Sequence, residues 1–291
     1  MRERFRIPEH QFERTASFLS GIGLVRSGDE RVYNFKKQGI SVSIYGNGTV
    51  ILNCDDALAG KLLYDFFNTL PFDYRDYAMK TVGLELPEKW IGSDEAGKGD
   101  YFGPLVVAGV CMESSVAAAL YRRGVTDSKK LSAEQLFHME CMVKSTLPAS
   151  AYEVIVISPE RYNQMHDSMG NVLDIMVWAH GRAISSIASR ENCAVALVDK
   201  FASGRRKDEM ENAVKGVRIY QFTKGERETG VATASVLASA QFGHSIEKMT
   251  AEYGIPFVKG AGSDARTLAA RIRSEKGETF YRKVAKADFT L

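Results

Sequence analysis

The sequence predicts an α/β protein in which a small N-terminal α+β unit precedes a larger α/β region. After residue 90, apolar β-branched runs such as 105–111 and 194–198 alternate with long helical patterns, as is typical of α/β folds. Before residue 80, three short strand patterns lie between two amphipathic helical patterns. A chain of 291 residues is long enough for two such units.

The N-terminal unit is predicted as a helix, three strands and a second helix. Helical spacing covers 8–19 and 56–69, and the strand patterns cover 31–36, 40–45 and 49–53. The middle strand alternates, which places Ile40, Val42 and Ile44 on one face and Ser41, Ser43 and Tyr45 on the other. Two helices can cover only one face of this sheet. The polar face is therefore either a solvated surface or a platform for a partner.

A polar connection at 72–89 separates this unit from the larger region. We expect a first domain at 1–80, a linker at 81–89 and a second domain at 90–291. The second domain has helical patterns that include 171–189 and 230–250, and the latter begins with small residues that allow close approach to a sheet. His180 shares a face with apolar residues of the 171–189 helix and is interpreted as a core or boundary histidine rather than a ligand.

Composition and charge exclude several classes of protein. The formal net charge of +2 neither requires nor excludes a nucleic-acid partner. The sequence has no apolar run near the roughly 20 residues of a membrane helix, and no secretory signal pattern. The four cysteines and five histidines lack the spacing of zinc ligands. Reduced thiols and a cytoplasmic location are the expectation.

Three acidic residues, Asp94, Asp199 and Glu226, each follow a predicted strand at the point where it becomes a loop. In α/β folds such strand ends gather functional groups. Glu95 adds a fourth carboxylate, but successive strand residues point to opposite faces. Asp94 and Glu95 can therefore share a site only if the strand breaks, and Ala96-Gly97 is expected to supply the break.

Four converging carboxylates would repel one another without a cation. Oxygen ligands without histidine or cysteine favour Mg²⁺ or Mn²⁺. A paired-ion site of this kind serves in-line phosphoryl transfer. The alternative is that these acids are solvated strand ends.

The glycine-rich segment 92–99 fits the pattern G-x-x-x-x-G-K but has Gly99 where a P-loop needs Ser or Thr. Asp94 and Glu95 would also repel nucleotide phosphates, so we reject nucleoside triphosphate binding. The glycines of Gly97-Lys98-Gly99 let main-chain groups approach a ligand, and such groups suit a ribose 2′-hydroxyl. The alternative is a plain glycine turn with a surface lysine.

The segment 92–104, Gly-Ser-Asp-Glu-Ala-Gly-Lys-Gly-Asp-Tyr-Phe-Gly-Pro, closely resembles the signature of bacterial ribonuclease HIII. The resemblance continues in the expected order through segments 126–131, 198–201, 224–226, 232–235 and 259–262. The N-terminal unit, with its hairpin at 44–50, resembles the TATA-binding-protein-like domain of this family.

This resemblance implies a ribonuclease H-like mixed sheet with flanking helices. It also implies that two Mg²⁺ or Mn²⁺ ions are held by Asp94, Glu95, Asp199 and Glu226. The implied reaction cuts the RNA strand of an RNA–DNA hybrid and leaves 3′-hydroxyl and 5′-phosphate ends. The chain is one residue short after Glu226, which makes Glu228 a rival for the fourth carboxylate. Glu226 is preferred because Lys224-Gly225-Glu226 keeps the local motif.

The resemblance also implies substrate contacts. In the second domain these are Gly97, Lys98, Gly99, Ser128, Lys129 and Lys259. On the N-terminal sheet they are Lys36, Lys37, Ser41, Ser43 and Tyr45. A monomer is expected. The alternatives are a type HII-like enzyme that cuts at single embedded ribonucleotides and a non-catalytic hybrid-binding protein.

Overall fold

The computed structural model describes residues 2–27, 32–70, 72–125, 128 and 131–289. The chain divides into two compact units. The first comprises Met1–Tyr77 and Ser114–Val125, and the second comprises Ala78–Glu113 and Thr126–Leu291.

The first unit is built on a five-stranded antiparallel sheet with the strand order β1-β5-β4-β3-β2. Its strands are β1 (Arg2–Arg6), β2 (Val25–Ser27), β3 (Val32–Lys37), β4 (Ile40–Tyr45) and β5 (Thr49–Cys54). The three predicted strands are β3, β4 and β5. The sequence pattern did not reveal β1 and β2, which form the two edges of the sheet.

Two helices, α1 (Phe12–Gly21) and α2 (Ala57–Thr69), pack on the apolar face of this sheet. The core joins Val42 and Ile44 of β4 to Leu19 of α1 and Leu63 of α2, which confirms the predicted inward face of β4. The helical spacing of the sequence predicted that Leu58, Leu62, Leu63 and Phe66 form the buried face of α2. This prediction is wrong in part, because Leu58 is 81% exposed and Leu62 is 54% exposed. The buried positions of α2 are Gly60, Leu63 and Phe67.

Helices α3 (Tyr74–Val82) and α4 (Ser114–Arg122) follow in chain order. The segment that carries α4 clusters with the first unit, although it follows the first strands of the second unit in sequence. Arg122 donates a hydrogen bond to the Leu70 carbonyl just after α2, and Tyr121 lies under the guanidinium of Arg6 on β1.

The second unit is built on a mixed five-stranded sheet with the order β10-β9-β6-β7-β8. Strands β6, β9 and β10 run parallel, whereas β7 and β8 are antiparallel to their neighbours. The strands are β6 (Lys89–Ala96), β7 (Leu105–Glu113), β8 (Tyr152–Ile157), β9 (Val195–Asp199) and β10 (Arg218–Phe222). The predicted mixed α/β architecture is confirmed.

Helices flank this sheet on both faces. The helices of the second unit are α5 (Ala133–Thr146), α6 (Pro159–Met169), α7 (Val172–Glu191), α8 (Arg205–Glu211), α9 (Thr229–Tyr253) and α10 (Ser263–Val284). A Cβ atom at Gly92 would lie 2.1 Å from the backbone of Gly230 in α9. A Cβ at Gly109 would meet the Ile187 side chain of α7 at 2.8 Å.

Gly92 and Gly109 belong to opposite faces of the sheet, because Gly109 pairs with Ser93 in the β6–β7 register. Helices α9 and α7 therefore cover opposite faces. The close approach expected from the small residues of α9 is confirmed at Gly92. None of the helices in the described part of the chain combines the length and apolarity that crossing a bilayer requires.

Candidate active site

The carboxyl ends of three neighbouring parallel strands meet at one edge of the second sheet. Ser93 of β6 pairs with Val198 of β9, so the following residues, Asp94 and Asp199, lie beside each other. Phe222, at the end of β10, pairs with Asp199. Glu226 follows four residues later in a short 3₁₀ helix, Gly225–Arg227.

Asp94 and Glu95 lie on opposite faces of β6. The break predicted at Ala96-Gly97 comes too late to bring both side chains to one face, because β6 stays paired with β7 through Ala96. Asp94 is on the α9 face, where it interacts with the side chain of Ser235. Glu95 is on the α7 face, where its Oε2 lies 3.4 Å from Nε2 of His180. The two carboxylates still interact electrostatically at the strand end.

Gly225 is the residue that lets the Glu226 segment lie against β9. Its backbone N–H donates a 2.9 Å hydrogen bond to Oδ1 of Asp199. A Cβ atom at position 225 would lie 2.9 Å from the Cα of Asp199, which is closer than packing allows. Glycine at this position therefore holds Glu226 near Asp199.

The buried acids at the strand ends raise one another's pKa values. Burial raises the pKa of Asp94 well above its ordinary value, and the charge of Glu95 adds to the effect. Burial also raises the pKa of Asp199, with smaller contributions from Glu226 and Glu95, while the Gly225 N–H acts in the opposite direction. Because these carboxylates lie close together, each additional negative charge costs free energy, and a bound cation would lower that cost.

Within the described residues, no three His, Cys, Asp or Glu side chains form a set that could hold a metal ion as they stand. The side chains are nevertheless compatible with hard cations, because Asp94, Glu95, Asp199 and Glu226 offer only oxygen donors and interact electrostatically.

Glu228, the rival for the fourth carboxylate, has a different set of contacts. It is 1% exposed and caps α9 by accepting a 3.0 Å hydrogen bond from the Val231 backbone N–H. Its other oxygen accepts a 3.1 Å hydrogen bond from Nε1 of Trp90. Two structural hydrogen bonds therefore engage Glu228, and Glu226 is the acid that interacts with Asp199.

The glycines of the loop after β6 have different roles. Gly97 has a φ of +84°, and a Cβ there would lie 2.2 Å from the Pro104 carbonyl, so the fold itself requires glycine. At Gly99, which is exposed, a Cβ atom would meet no atom of the described chain within 4 Å. Protein packing therefore does not explain glycine at 99, and the open main chain there is accessible to a ligand.

The remaining candidates for substrate contact in the second unit are Lys259, Ser128 and Lys129. Asp100 accepts a 2.6 Å hydrogen bond from the Gly260 N–H, which ties the segment of the exposed Lys259 to the loop after Gly99. Ser128 is buried and bonds to Ser235 and Ser239 of α9 at 2.9 and 2.7 Å. Its hydroxyl thus supports the helix face beside Asp94. Lys129 lies outside the described residues.

On the first unit, the sheet separates the two candidate lysines. Lys36 pairs with Ser41 on the polar face, which also carries Ser43 and Tyr45. Hydrogen bonds link this face, from Ser43 to Asn34 at 2.7 Å and from Asn53 to Ser41 at 3.3 Å. Lys37 lies on the opposite face, where its Nζ donates to the Ile22 carbonyl just after α1 at 3.4 Å.

Two arginines of β1 also belong to the polar face and were missed by the sequence-based prediction. Arg4 pairs with Ile51, and Arg6 pairs with Thr49. Burial and the nearby charge of Arg6 lower the pKa of Arg4. The signal was present in the alternation of Arg2, Arg4 and Arg6 with Glu3 and Phe5, which fits a strand with one buried face.

Comparison with known proteins identifies the family. A family model described as Ribonuclease HII matches residues 91–291. A Ribonuclease HIII from Chlamydia trachomatis serovar D is 30% identical over 264 residues, which cover 89% of this chain and 85% of the relative. The chain belongs to the ribonuclease HIII family. The resemblance seen in segments 92–104 and beyond is therefore confirmed.

Two solved ribonuclease HIII structures share the fold. Bst-RNase HIII in complex with Mn²⁺ has a TM-score of 0.65 at 22% identity, and the match covers 100% of this chain and 96% of that structure. Aquifex aeolicus RNase H3 has a TM-score of 0.57 at 21% identity, with coverages of 99% and 100%. Both matches include the N-terminal unit as well as the ribonuclease region.

Proposed function

We propose that this chain is an endoribonuclease that cleaves the RNA strand of RNA–DNA hybrids and leaves 3′-hydroxyl and 5′-phosphate ends. One observation carries the proposal. In a chain of the ribonuclease HIII family, the ends of β6, β9 and β10 bring Asp94, Glu95, Asp199 and Glu226 into electrostatic contact.

These four carboxylates are the residues that would hold the divalent cations, Mg²⁺ or Mn²⁺. A structural relative, Bst-RNase HIII, is described in complex with Mn²⁺. When bound, two such ions supply an activated water and stabilise the leaving oxygen. The chain orients its own ligands: the Glu95 N–H donates to Asp94 at 2.8 Å, and the Gly225 N–H donates to Asp199 at 2.9 Å.

Recognition of the RNA strand is assigned to the loop that follows the catalytic strand. The exposed main chain at Gly99 offers N–H and C=O groups, which suit the donor and acceptor character of a 2′-hydroxyl. Lys98 and Lys259 supply positive charge near this loop. Because the contacts are to the backbone of the substrate, we expect cleavage independent of base sequence.

The polar face of the first sheet is assigned to binding the hybrid duplex. Its hydroxyl, amide and cationic side chains suit the wide, shallow minor groove and the flanking phosphates of an A-like helix. Of the candidates on this sheet, Lys36, Ser41, Ser43 and Tyr45 lie on this face, and Lys37 does not. We also propose that the protein acts as a monomer in the cytoplasm, on nucleic acid and not on a membrane.

The experiment that tests this function compares three substrates with the full chain. They are a uniform RNA–DNA hybrid, a DNA duplex with one embedded ribonucleotide, and a DNA duplex, each assayed with Mg²⁺ and with Mn²⁺. We expect cuts at many positions of the RNA strand of the hybrid, with slower or absent cleavage of the other two.

The alternatives make different predictions in the same assay. Faster cutting at the single ribonucleotide than in the uniform hybrid would favour the type HII-like enzyme. Hybrid binding without cleavage under either metal would favour the non-catalytic protein.

A further inference from the structure

A buried histidine connects the catalytic strand to helix α7. His180 is 0% exposed. Its Nδ1 lies 2.8 Å from Oγ of Ser93, and its Nε2 lies 3.4 Å from Oε2 of Glu95. Ser93 and Glu95 are two residues apart on β6, so they share the face that α7 covers. One ring therefore contacts two successive side chains of that face.

The direction of each hydrogen bond follows from counting hydrogens. Oγ of Ser93 lies 2.8 Å from the Ala108 carbonyl, which can only accept. The single hydroxyl hydrogen is therefore donated to Ala108. Oγ must then accept from His180, so Nδ1 carries a hydrogen and Ser93 fixes that edge of the ring.

The ring is also fixed in its plane. The Phe201 ring stacks on His180 with centroids 5.0 Å apart and planes 12° apart. Phe201 lies two residues after Asp199, so the stack comes from the segment that follows another carboxylate of the site. With Nδ1 anchored and the plane restrained, Nε2 has a defined position beside Glu95.

Packing alone does not explain why a polar ring nitrogen, Nε2 of His180, is buried at this position. This atom is buried and makes no hydrogen bond of ordinary geometry within the described residues. Leaving such a group unsatisfied costs about 1–3 kcal/mol, which an apolar side chain of similar size would avoid. The carboxylate of Glu95 is the group that Nε2 is placed to contact. Because Nδ1 already carries a hydrogen, Nε2 donates to Glu95 when the ring carries both of its hydrogens.

We infer that His180 is a positioning residue, which holds the Glu95 carboxylate in the orientation needed to bind the divalent cation, with Ser93 anchoring the ring. The inference rests on the proposed role of Glu95 as a metal ligand. Groups that orient a metal ligand in this way typically change metal affinity by about 10- to 100-fold when removed.

Two substitutions of His180 separate the two edges of the ring. The amide of His180→Asn can reach the position of Nδ1 and keep the contact with Ser93, but it cannot reach Glu95. The longer His180→Gln can place its amide nitrogen near the position of Nε2 and contact Glu95. A purely structural role for His180 does not predict that the longer amide is the better replacement.

The test is a titration of the full chain with Mn²⁺ alone. Binding is measured by isothermal titration calorimetry or from the electron paramagnetic resonance signal of free Mn²⁺. We expect His180→Asn to weaken the affinity about 10-fold or more, and His180→Gln to stay within about 3-fold of wild type. Ser93→Ala, which removes the anchor without altering the ring, should give an intermediate loss. In the hybrid cleavage assay, His180→Asn should increase the Mn²⁺ concentration that gives half-maximal rate. The KM for the hybrid should increase by a smaller factor.

A Glu95→Gln control distinguishes the possible failures. If Glu95→Gln weakens Mn²⁺ binding but His180→Asn and Ser93→Ala do not, the positioning role is wrong and the metal site stands. Equal losses in His180→Asn and His180→Gln would also overturn the inference. If Glu95→Gln itself leaves the affinity unchanged, both the proposed metal site and the inference are wrong. Thermal unfolding of each variant identifies one that fails to fold, and Ser93→Ala then carries the test.

Discussion

The backbone of Gly225 donates a 2.9 Å hydrogen bond to Oδ1 of Asp199, and no side chain larger than hydrogen fits between them. This contact places the short 3₁₀ helix that carries Glu226 against the end of β9. Two residues further, Glu228 begins α9 as its N-cap. The local fold therefore gives two neighbouring glutamates separate roles, one at the carboxylate cluster and one in the framework.

The first prediction separates these two glutamates with matched substitutions. Glu226→Gln should reduce hybrid cleavage by about 100-fold or more, since removing a catalytic electrostatic group typically has an effect of this size. Glu228→Gln should lower the free energy of unfolding by about 1–2 kcal/mol, because it weakens an N-cap, with a much smaller effect on the rate. Steady-state kinetics and thermal unfolding measure both. The reverse pattern would identify Glu228 as the fourth carboxylate.

Asp94 is expected to destabilise the protein when no metal is bound. Because the pKa of Asp94 is raised by burial and by Glu95, its folded-state pKa lies above its unfolded value, and the charged form costs stability at neutral pH. Asp94→Asn should therefore raise the metal-free free energy of unfolding at pH 8, by the roughly 0.5–2 kcal/mol that is typical of a single stabilising substitution.

The sign of the pH dependence provides the control. The stability of wild type falls as pH rises from the unfolded pKa of Asp94 through its folded pKa, so the advantage of Asp94→Asn should shrink toward acidic pH. Saturating Mn²⁺ should stabilise wild type more than the variant. An Asp94→Asn protein that is less stable than wild type without metal would contradict the electrostatic account.

Lys36 and Lys37 form a matched pair on opposite faces of β3. Lys36→Ala should weaken hybrid binding and reduce the slope of log affinity against log salt by about 1, as expected for one lost phosphate contact. Lys37→Ala should leave both quantities unchanged, because its Nζ bonds to the Ile22 carbonyl on the helix side. Binding at several salt concentrations checks this. Equal effects of the two substitutions would argue against the polar face as the binding surface.

The buried Lys286 should make the free energy of unfolding rise at alkaline pH. Its side chain is buried and donates to the carbonyls of Asp100 and Gly103, both at 2.9 Å, and burial lowers the pKa of Lys286 to about 8. Between pH 8 and the ordinary lysine pKa of 10.5, the unfolded chain binds one more proton than the folded chain. The free energy of unfolding should therefore rise with pH across this window.

Lys286→Met removes the titrating group while keeping a side chain of similar length. Relative to this variant, wild type should gain about 2 kcal/mol between pH 7.5 and pH 9.5, at roughly 1.36 kcal/mol per pH unit. Thermal unfolding at both pH values measures the gain. A difference between the two proteins that does not change with pH would contradict the prediction.

Strand ends were predictable from the sequence, and helix faces less so. Asp199 was correctly placed because a buried β-branched run defines β9, whereas β6 was expected to end before Asp94 and continues to Ala96. The face of α2 was misjudged because its many apolar residues allow more than one helical stripe, and the structure buries Gly60 and Leu63 while Leu58 remains exposed. Strand β1 was missed because its pairing with β5 is a long-range contact.

The contacts of individual side chains in the site could not be predicted, because they depend on how distant segments of the chain pack together. The helix face of His180 was recognised, but its contacts with Ser93 and Glu95 arise only where α7 packs on β6. The N-cap role of Glu228 likewise depends on where α9 begins. Gly97 and Gly99 looked equivalent in sequence, whereas only Gly97 is required by the surrounding chain.

The most direct test of the central claim is cleavage of a uniform RNA–DNA hybrid by wild type and by Asp94→Asn, with hybrid affinity measured in parallel. We predict that wild type cuts the RNA strand only when Mg²⁺ or Mn²⁺ is present. We also predict that Asp94→Asn loses cleavage by about 100-fold or more while its affinity for the hybrid changes little. Cleavage that persists in Asp94→Asn, or that proceeds in wild type without a divalent metal, would contradict the account.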